Sequence, residues 1–249
     1  MTRAMIAGDW HGRAPWAQRV ISLAAKNNIR TIFQVGDFGL WPGKSGMDFL
    51  DDVNSAARQR GILIRTLRGN HDWNEWERQV ENNTEFNLDP LTLGAYVRSH
   101  IVLMPRTTRF EFGGRMIQVA GGAVSIDKAW RVPGESWWAE EELTDAEVDA
   151  IEETKVDVLL THDCSNRTPW GRRIKPDLDS QIHRQRIDRV LAKTSPEIHF
   201  HGHMHEWYDW MNPVNATQWT QTYGLHMDEG WNSQGILDFD TLKFEEVNP

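Results

Sequence analysis

In the first third of the chain, short apolar runs alternate with stretches in which apolar residues recur every three or four positions. The apolar runs predict strands at 4–8, 31–35 and 62–67, and the recurring pattern predicts helices at 15–27 and 47–60. This alternation of strands and helices predicts a largely parallel sheet covered by helices, because parallel neighbours are joined by helical crossovers.

The pattern changes after residue 67. Strands are predicted at 100–104, 108–112 and 115–120 without helices between them, and Gly113-Gly114 suits a hairpin turn. The remaining predicted elements are a helix at 144–154, a strand at 156–160, a helix at 181–193, a strand at 197–201 and three short strands between 220 and 247. We therefore expect an α/β protein with two sheets in a single domain spanning 1–249.

Polar residues of metal-binding type follow five of the predicted strands. They are Asp9, His11, Asp37, Asn70, His71, His162, His203 and His205. Sites in α/β sheets form at the carboxyl ends of strands, so these segments are expected to meet in one crevice. Asp9 and His11 are two residues apart, which in an extended chain places both side chains on one side, and the same spacing recurs in His203 and His205.

The types of donor narrow the chemistry of this crevice. The chain has ten histidines and a single cysteine, Cys164, which we interpret as a structural thiol. Imidazole and oxygen ligands suit Mn, Fe, Co, Ni or Zn. Two such metals about 3.5–4 Å apart, sharing a carboxylate, form the arrangement used for in-line displacement at phosphorus.

Five motifs occur in order along most of the chain: Gly8-Asp9-Trp10-His11-Gly12, Gly36-Asp37, Gly69-Asn70-His71-Asp72, Thr161-His162 and Gly202-His203-Met204-His205. In this order the motifs resemble those of the calcineurin-like metallophosphoesterase superfamily. The resemblance implies a four-layer α/β/β/α sandwich, with two mixed sheets flanked by helices and a dinuclear metal site between the sheets.

The resemblance also implies a role for each motif residue. It implies a first metal held by Asp9, His11 and His205, a second metal held by Asn70, His162 and His203, and Asp37 as the bridging carboxylate. His71 matches the residue that binds no metal and instead contacts the substrate phosphate or protonates the leaving group. The implied cofactors are two divalent ions, with manganese expected and Fe, Ni, Co or Zn as alternatives, and the implied nucleophile is a hydroxide bridging them.

One segment departs from the protein phosphatase branch of that superfamily. There the bridging Asp begins a Gly-Asp-x-x-Asp-Arg-Gly motif whose second Asp orients the catalytic His. Here residues 36–41 lack both that Asp and that Arg, so we do not expect a phosphoprotein phosphatase of that branch. The residue that orients His71 stays open, and Asp72 is a candidate by adjacency. The chain looks more like the small bacterial or phage phosphodiesterases.

Charge and hydropathy limit the partners. The chain has 27 Lys and Arg against 36 Asp and Glu, a formal charge of -9. A long duplex needs clustered cations, so we expect a small phosphoester substrate and no long duplex nucleic acid. No apolar run approaches the roughly 18 residues of a membrane span, and no secretory signal is evident, so we expect a cytoplasmic protein without membrane contact.

The substrate class rests on weaker signals. Trp10, Trp41, Trp73 and Trp76 lie near the motifs, where they either stack on an aromatic leaving group or fill the core. A basic cluster follows His162 and comprises Arg167, Arg172, Arg173 and Lys175. It either holds a substrate phosphate or is a solvated face, and the same two interpretations apply to Arg131. We favour small phosphodiesters such as cyclic nucleotides; the alternatives are a phosphomonoesterase, a single-strand nuclease and a non-enzymatic scaffold.

Overall fold

Two mixed β-sheets form the centre of the molecule in a computed structural model that describes residues 2–73, 87–169 and 178–248. The strands are β1 (Arg3–Ala7), β2 (Thr31–Gln34), β3 (Leu63–Thr66), β4 (Ala95–Arg98), β5 (Ile101–Leu103), β6 (Thr107–Phe112), β7 (Arg115–Ala120), β8 (Val158–Thr161), β9 (Ile198–His201), β10 (Tyr208–Pro213), β11 (Trp219–Gly224), β12 (Gln234–Asp238) and β13 (Lys243–Glu246).

The described strands divide into a sheet of seven and a sheet of six. The first has the order β13-β12-β1-β2-β3-β5-β4, and the second has the order β10-β11-β9-β8-β7-β6. Parallel strands form the middle of each sheet: β1, β2, β3 and β5 in the first, and β11, β9, β8 and β7 in the second. Antiparallel strands lie at the margins. The parallel strands therefore direct their carboxyl ends to one edge of each sheet.

Helices flank the two sheets. The α-helices in the described part of the chain are α1 (Ala14–Lys26), α2 (Gly43–Arg60), α3 (Asp145–Ala150) and α4 (Leu178–Thr194). Apolar residues of α1 and α2 form one cluster with the first sheet, and apolar residues of α3 and α4 form another with the second. None of the helices in the described part of the chain is long and apolar enough to cross a membrane.

Strand β1 shows how the sequence produces these layers. Ala4 and Ile6 pack between the sheets, whereas Met5 and Ala7 face the cluster that includes α1 and α2. All four are fully buried, because alternate side chains of a strand point to opposite faces and both faces are covered. This explains why the predicted strands are continuous apolar runs. The predicted α/β class and the sandwich of two mixed sheets with flanking helices are confirmed.

Some element boundaries differ from the prediction. The capping box of Thr144 and Glu147 is present, but α3 ends at Ala150 because Ile151 adopts an extended backbone. Strand β10 was not predicted, because its six residues neither alternate regularly nor form an apolar run, and because it ends in Pro213 at the edge of its sheet. Strand β4 is a four-residue edge strand that was also missed. Short edge strands carry weak sequence patterns because only part of their surface is buried.

Candidate metal centre

The eight polar residues singled out from the sequence lie at the carboxyl ends of strands from both sheets. Asp9 and His11 follow β1, Asp37 follows β2, and Asn70 and His71 follow β3. In the second sheet, His162 follows β8, and His203 and His205 follow β9.

Six of the eight contribute donor atoms to two adjoining groups. One oxygen or ring nitrogen each from Asp9, His11, Asp37 and His205 lie within 4.8 Å of one another, and the same holds for Asp37, His162 and His203. Asp37 belongs to both groups: its Oδ2 lies 3.5 Å from Nε2 of His11, and its Oδ1 lies 3.4 Å from Nε2 of His162. Each group could hold a metal ion.

Asn70 completes the second group. Its Oδ1 lies 3.0 Å from Nε2 of His162, and its Nδ2 donates a hydrogen bond of 3.0 Å to the hydroxyl of Ser125. The Ser125 hydroxyl in turn donates to the carboxylate of Glu141. Because the amide nitrogen is held by Ser125, the Asn70 oxygen is directed toward the donor group. An amide oxygen is a neutral ligand that suits the oxygen-preferring divalent metals.

Three buried polar atoms in this cluster lack a hydrogen-bond partner among the described residues. They are Nε2 of His11, Oδ2 of Asp37 and Nε2 of His205. Buried polar atoms are nearly always paired. A group of unpaired nitrogen and oxygen atoms facing one another therefore indicates a place for a cation. The residues present therefore fit divalent metal ions, and no thiolate takes part in either group.

The backbone at these positions differs from the extended geometry expected from the sequence. His11, Asp37, His203 and His205 all have positive φ, between 43° and 63°. This left-handed conformation is uncommon for residues other than glycine, and costs about 1–3 kcal/mol at each position. The spacing of two residues therefore brings Asp9 together with His11 through a tight turn, and the expectation of an extended chain there was wrong.

The charge of Asp37 dominates the electrostatics of the cluster. Burial alone would lower the pKa of His162, but the neighbouring Asp37 raises it to about 10. Burial is likewise outweighed at His11, whose pKa rises to about 9 next to Asp37. The pKa of Asp37 falls well below its usual value because the histidines outweigh the effect of its own burial. Metal binding at these histidines must displace protons, so metal affinity depends on pH.

His71 has a different environment from the other seven residues. Its backbone N–H donates to Oδ1 of Asp37 at 2.8 Å, while its ring lies outside both donor groups. Nε2 of the ring lies 2.5 Å from Nη2 of Arg131. An arginine side chain is only a donor, so Nε2 of His71 accepts this hydrogen bond. Arg131 also pairs with Asp127 at 2.8 Å.

The sequence profile of the calcineurin-like phosphoesterase family matches residues 2–207. The chain belongs to the calcineurin-like phosphoesterase family. This family depends on a dinuclear metal centre, and the two donor groups that share Asp37 could hold its ions. The ligand roles assigned to the individual residues stay predictions.

Solved structures share this calcineurin-like fold. The protein TT1561 of Thermus thermophilus is similar with a TM-score of 0.58 and 15% identity, over 99% of this chain and 98% of that one. A dimetal phosphatase from Danio rerio is similar with a TM-score of 0.55 and 11% identity, over 94% of this chain and 91% of that one. At these identities the similarity shows the fold alone. No curated protein matches the chain in sequence.

Asp72 does not orient His71 in this calcineurin-like site. Its carboxylate accepts hydrogen bonds from the backbone N–H groups of Phe38, Gly39, Leu40 and Gly69. Asp72 therefore holds the turn that follows Asp37. Adjacency in sequence was misleading, because consecutive side chains at the end of a strand point in different directions.

Two residues that hold the site together were missed from the sequence. Oδ1 of Asp228 lies 2.9 Å from Nδ1 of His11, and its Oδ2 lies 2.7 Å from Nε of Arg13. Gln34 is fully buried and donates to the carbonyls of Gly8 and Gly36, which fixes the ends of β1 and β2 relative to each other. The only sequence signal for Gln34 was a polar residue inside an apolar strand.

Of the tryptophans near the motifs, Trp10 is buried against Phe38 and Trp73 packs against the core of the first sheet. Trp41 is partly exposed and lines a cavity beside His71, and Trp76 lies outside the described residues.

The arginines near the motifs make different contacts in the structure. Arg131 contacts His71, whereas Arg167 donates to the carbonyls of Pro213 and Val214. The rest of the basic cluster lies outside the described residues: Arg172, Arg173 and Lys175.

Proposed function

We propose that this member of the family is a dinuclear metal-dependent phosphodiesterase that hydrolyses small phosphodiesters such as cyclic nucleotides. The observation that carries the dinuclear assignment is the position of Asp37, whose two oxygens lie near His11 in one donor group and His162 in the other. A shared carboxylate suits two cations held close together, which is the arrangement used for displacement at phosphorus.

In this proposal the first ion is held by Asp9, His11, Asp37 and His205, and the second by Asp37, Asn70, His162 and His203. When bound, the two divalent ions, with manganese expected, supply positive charge for the phosphoryl group and lower the pKa of a water molecule toward about 7. The protein residues fix the positions of the donors before the substrate arrives, which lowers the cost of reorganisation.

His71 acts on the substrate in this proposal. Its ring lies outside both donor groups but lines the cavity that also contains His11 and His205. From there it donates a hydrogen bond to the phosphoryl group through Nδ1–H, because Nε2 accepts from Arg131, or, as an imidazolium with the Arg131 contact broken, a proton to the leaving oxygen. Such a role is typically worth about 10²–10⁴-fold in rate. Arg131 fixes the direction of the ring through Nε2.

The charges around the cavity favour diesters over monoesters. The cavity has a volume of about 640 Å³, and its charged lining residues in the described part of the chain are Arg13, Asp127, Asp228 and Glu229. Asp228 and Glu229 pair with Arg13, and Asp127 pairs with Arg131. Beyond the bound ions, the described lining therefore offers no free arginine or lysine for an additional negative charge. At neutral pH a phosphomonoester carries almost two negative charges, whereas a diester carries one.

The test compares bis-p-nitrophenyl phosphate with p-nitrophenyl phosphate, with Mn²⁺ supplied. We expect a higher kcat/KM for the diester, because the described lining has no free arginine or lysine to compensate the second charge of the monoester. The opposite order across metals and pH would favour a phosphomonoesterase. A panel of cyclic nucleotides, dinucleoside polyphosphates and short single strands then identifies the natural class, including the nuclease alternative.

The same experiment distinguishes a phosphoesterase from a non-enzymatic scaffold. A scaffold would turn over neither ester, even with two equivalents of metal bound. We expect metal content and turnover to rise together as Mn²⁺ is added to protein treated with a chelator.

A further inference from the structure

A second cavity, of about 330 Å³, adjoins His71. The aromatic and apolar residues that line it are Trp41, Pro42 and Trp138, with Ser45, Glu135 and Ser136 supplying polar groups. Trp41 and Pro42 precede α2, whereas Trp138 comes from the connection between β7 and α3. Two separate segments therefore place indole rings around one space.

Both rings are fixed by the fold. Trp138 is 8% exposed. The ring of Trp41 lies so close to Gly12 that any Cβ at that position would overlap it, and Gly12 has a φ of 66°, which favours glycine. Because Gly12 directly follows His11, the position of Trp41 is coupled to the first donor group.

His71 lines both cavities, the aromatic one and the larger one that contains His11 and His205. A phosphodiester has two ester arms attached to one phosphorus. If the phosphate lies near His71 and the donor groups, one arm can enter each cavity. The aromatic cavity has two tryptophans among its lining residues, whereas the larger cavity is lined mostly by charged and polar groups.

We infer that the cavity between Trp41 and Trp138 is a subsite for a planar aromatic arm of the substrate, a nucleobase in a nucleotide diester. This inference rests on the proposed phosphodiesterase function and specifies which part of the substrate is recognised. Every base has a π-face, so stacking on tryptophan selects for an aromatic arm without requiring a particular base. Glu135 lies at the same cavity, and a carboxylate can accept from the amino group of a base.

The first experiment uses two diesters with the same leaving group. Bis-p-nitrophenyl phosphate has an aryl second arm, and methyl p-nitrophenyl phosphate has a methyl group in its place. We expect the wild-type protein to have a higher kcat/KM for the aryl diester than for the methyl diester. Trp138→Leu should lower kcat/KM for the aryl diester by about 5- to 150-fold and leave kcat/KM for the methyl diester unchanged. Trp138→Phe, which keeps an aromatic face, should restore much of the preference.

Trp219→Leu is the matched control, because Trp219 is 53% exposed on β11 and lines neither cavity. Equal losses on both diesters in Trp138→Leu, or no loss on either, would overturn the subsite and leave the phosphodiesterase function intact. If Trp138→Leu fails to fold, Trp41→Leu tests the other wall of the same cavity. Failure of the wild-type protein to hydrolyse either diester would contradict the proposed function itself.

The second experiment measures binding without turnover. Adenosine 5′-monophosphate and ribose 5-phosphate carry the same phosphate and differ by the base, so calorimetric titration of each isolates the base contribution. We expect the nucleotide to bind at least about fivefold more tightly, and this difference to disappear in Trp138→Leu but not in Trp219→Leu. Equal affinity of the two ligands for the wild-type protein would refute a base subsite.

Discussion

Nη2 of Arg131 lies 2.5 Å from Nε2 of His71, and the arginine side chain is only 8% exposed. The two residues come from different connections, one after β3 and one between β7 and α3. Asp127 pairs with the same guanidinium, so the imidazole, the guanidinium and the carboxylate form a chain of contacts. Arg131 thus contacts a ring nitrogen of His71, whereas the sequence had suggested Asp72 for that contact.

Removing the arginine side chain tests this relationship. Arg131→Ala is expected to lower kcat by about 10- to 100-fold, because a hydrogen bond with a charged donor is lost. Metal content should stay unchanged, since Arg131 touches neither donor group. In the His71→Ala background, Arg131→Ala should cost much less, because a positioning residue acts only through the residue it positions. Additive losses in this double-mutant cycle would mean that Arg131 acts independently of His71.

His71→Ala is expected to keep both metals and the fold while losing about 10²–10⁴-fold in rate. If His71 supplies a proton to the leaving oxygen, the loss should be small for nitrophenyl esters and large for cyclic nucleotides, whose alkoxide is a poor leaving group. Steady-state kinetics on both substrates give the comparison. Equal losses would indicate that His71 stabilises phosphoryl charge, and loss of metal would show that it is a ligand.

Asp37→Ala is expected to reduce the occupancy of both metals and to abolish nearly all activity, because Asp37 belongs to both donor groups. Elemental analysis after dialysis against Mn²⁺ measures the occupancy. Asp52→Ala removes an exposed carboxylate of α2 and serves as the control. Full occupancy in Asp37→Ala would refute its role as the bridge.

Asp228 should control metal affinity without being a ligand. A carboxylate that holds the far nitrogen of a metal-binding histidine fixes its tautomer and direction, and its loss typically costs about 10–100-fold in metal affinity. We expect that loss for Asp228→Asn in calorimetric titrations with Mn²⁺. Glu229→Gln is the matched control, because Glu229 pairs with Arg13 but does not contact His11. An unchanged affinity in Asp228→Asn would show that His11 is oriented without it.

Cys164 is expected to be unreactive in the native protein. Burial, together with the negative charge of Asp163, raises the pKa of its thiol to about 12. At pH 8 the thiolate fraction is then about a thousandfold or more below that of a free cysteine, and only the thiolate reacts. Thiol titration should therefore be slow on the native protein and rapid in guanidinium chloride. Rapid native modification would indicate an accessible thiol.

The sequence by itself determined the alternation of strands and helices, the α/β class and the identity of the residues that meet at the metal centre. These features are local: buried strands appear as apolar runs, helices show a repeat of three to four residues, and each motif directly follows a strand. The order of strands then brings Asp9 and Asp37 to one edge of the first sheet, because parallel strands end on one side, while His162 ends a strand of the second sheet.

Only the tertiary structure decided how these residues are held. Asp228 is 217 residues from His11, and Arg131 is 60 residues from His71. Such pairs depend on how irregular connections fold over the sheet edges, and neither periodicity nor motif spacing encodes that. The left-handed backbone of His11 and His205 could not be predicted from the sequence either. Packing around the site imposes it against the conformational preference of the residues themselves.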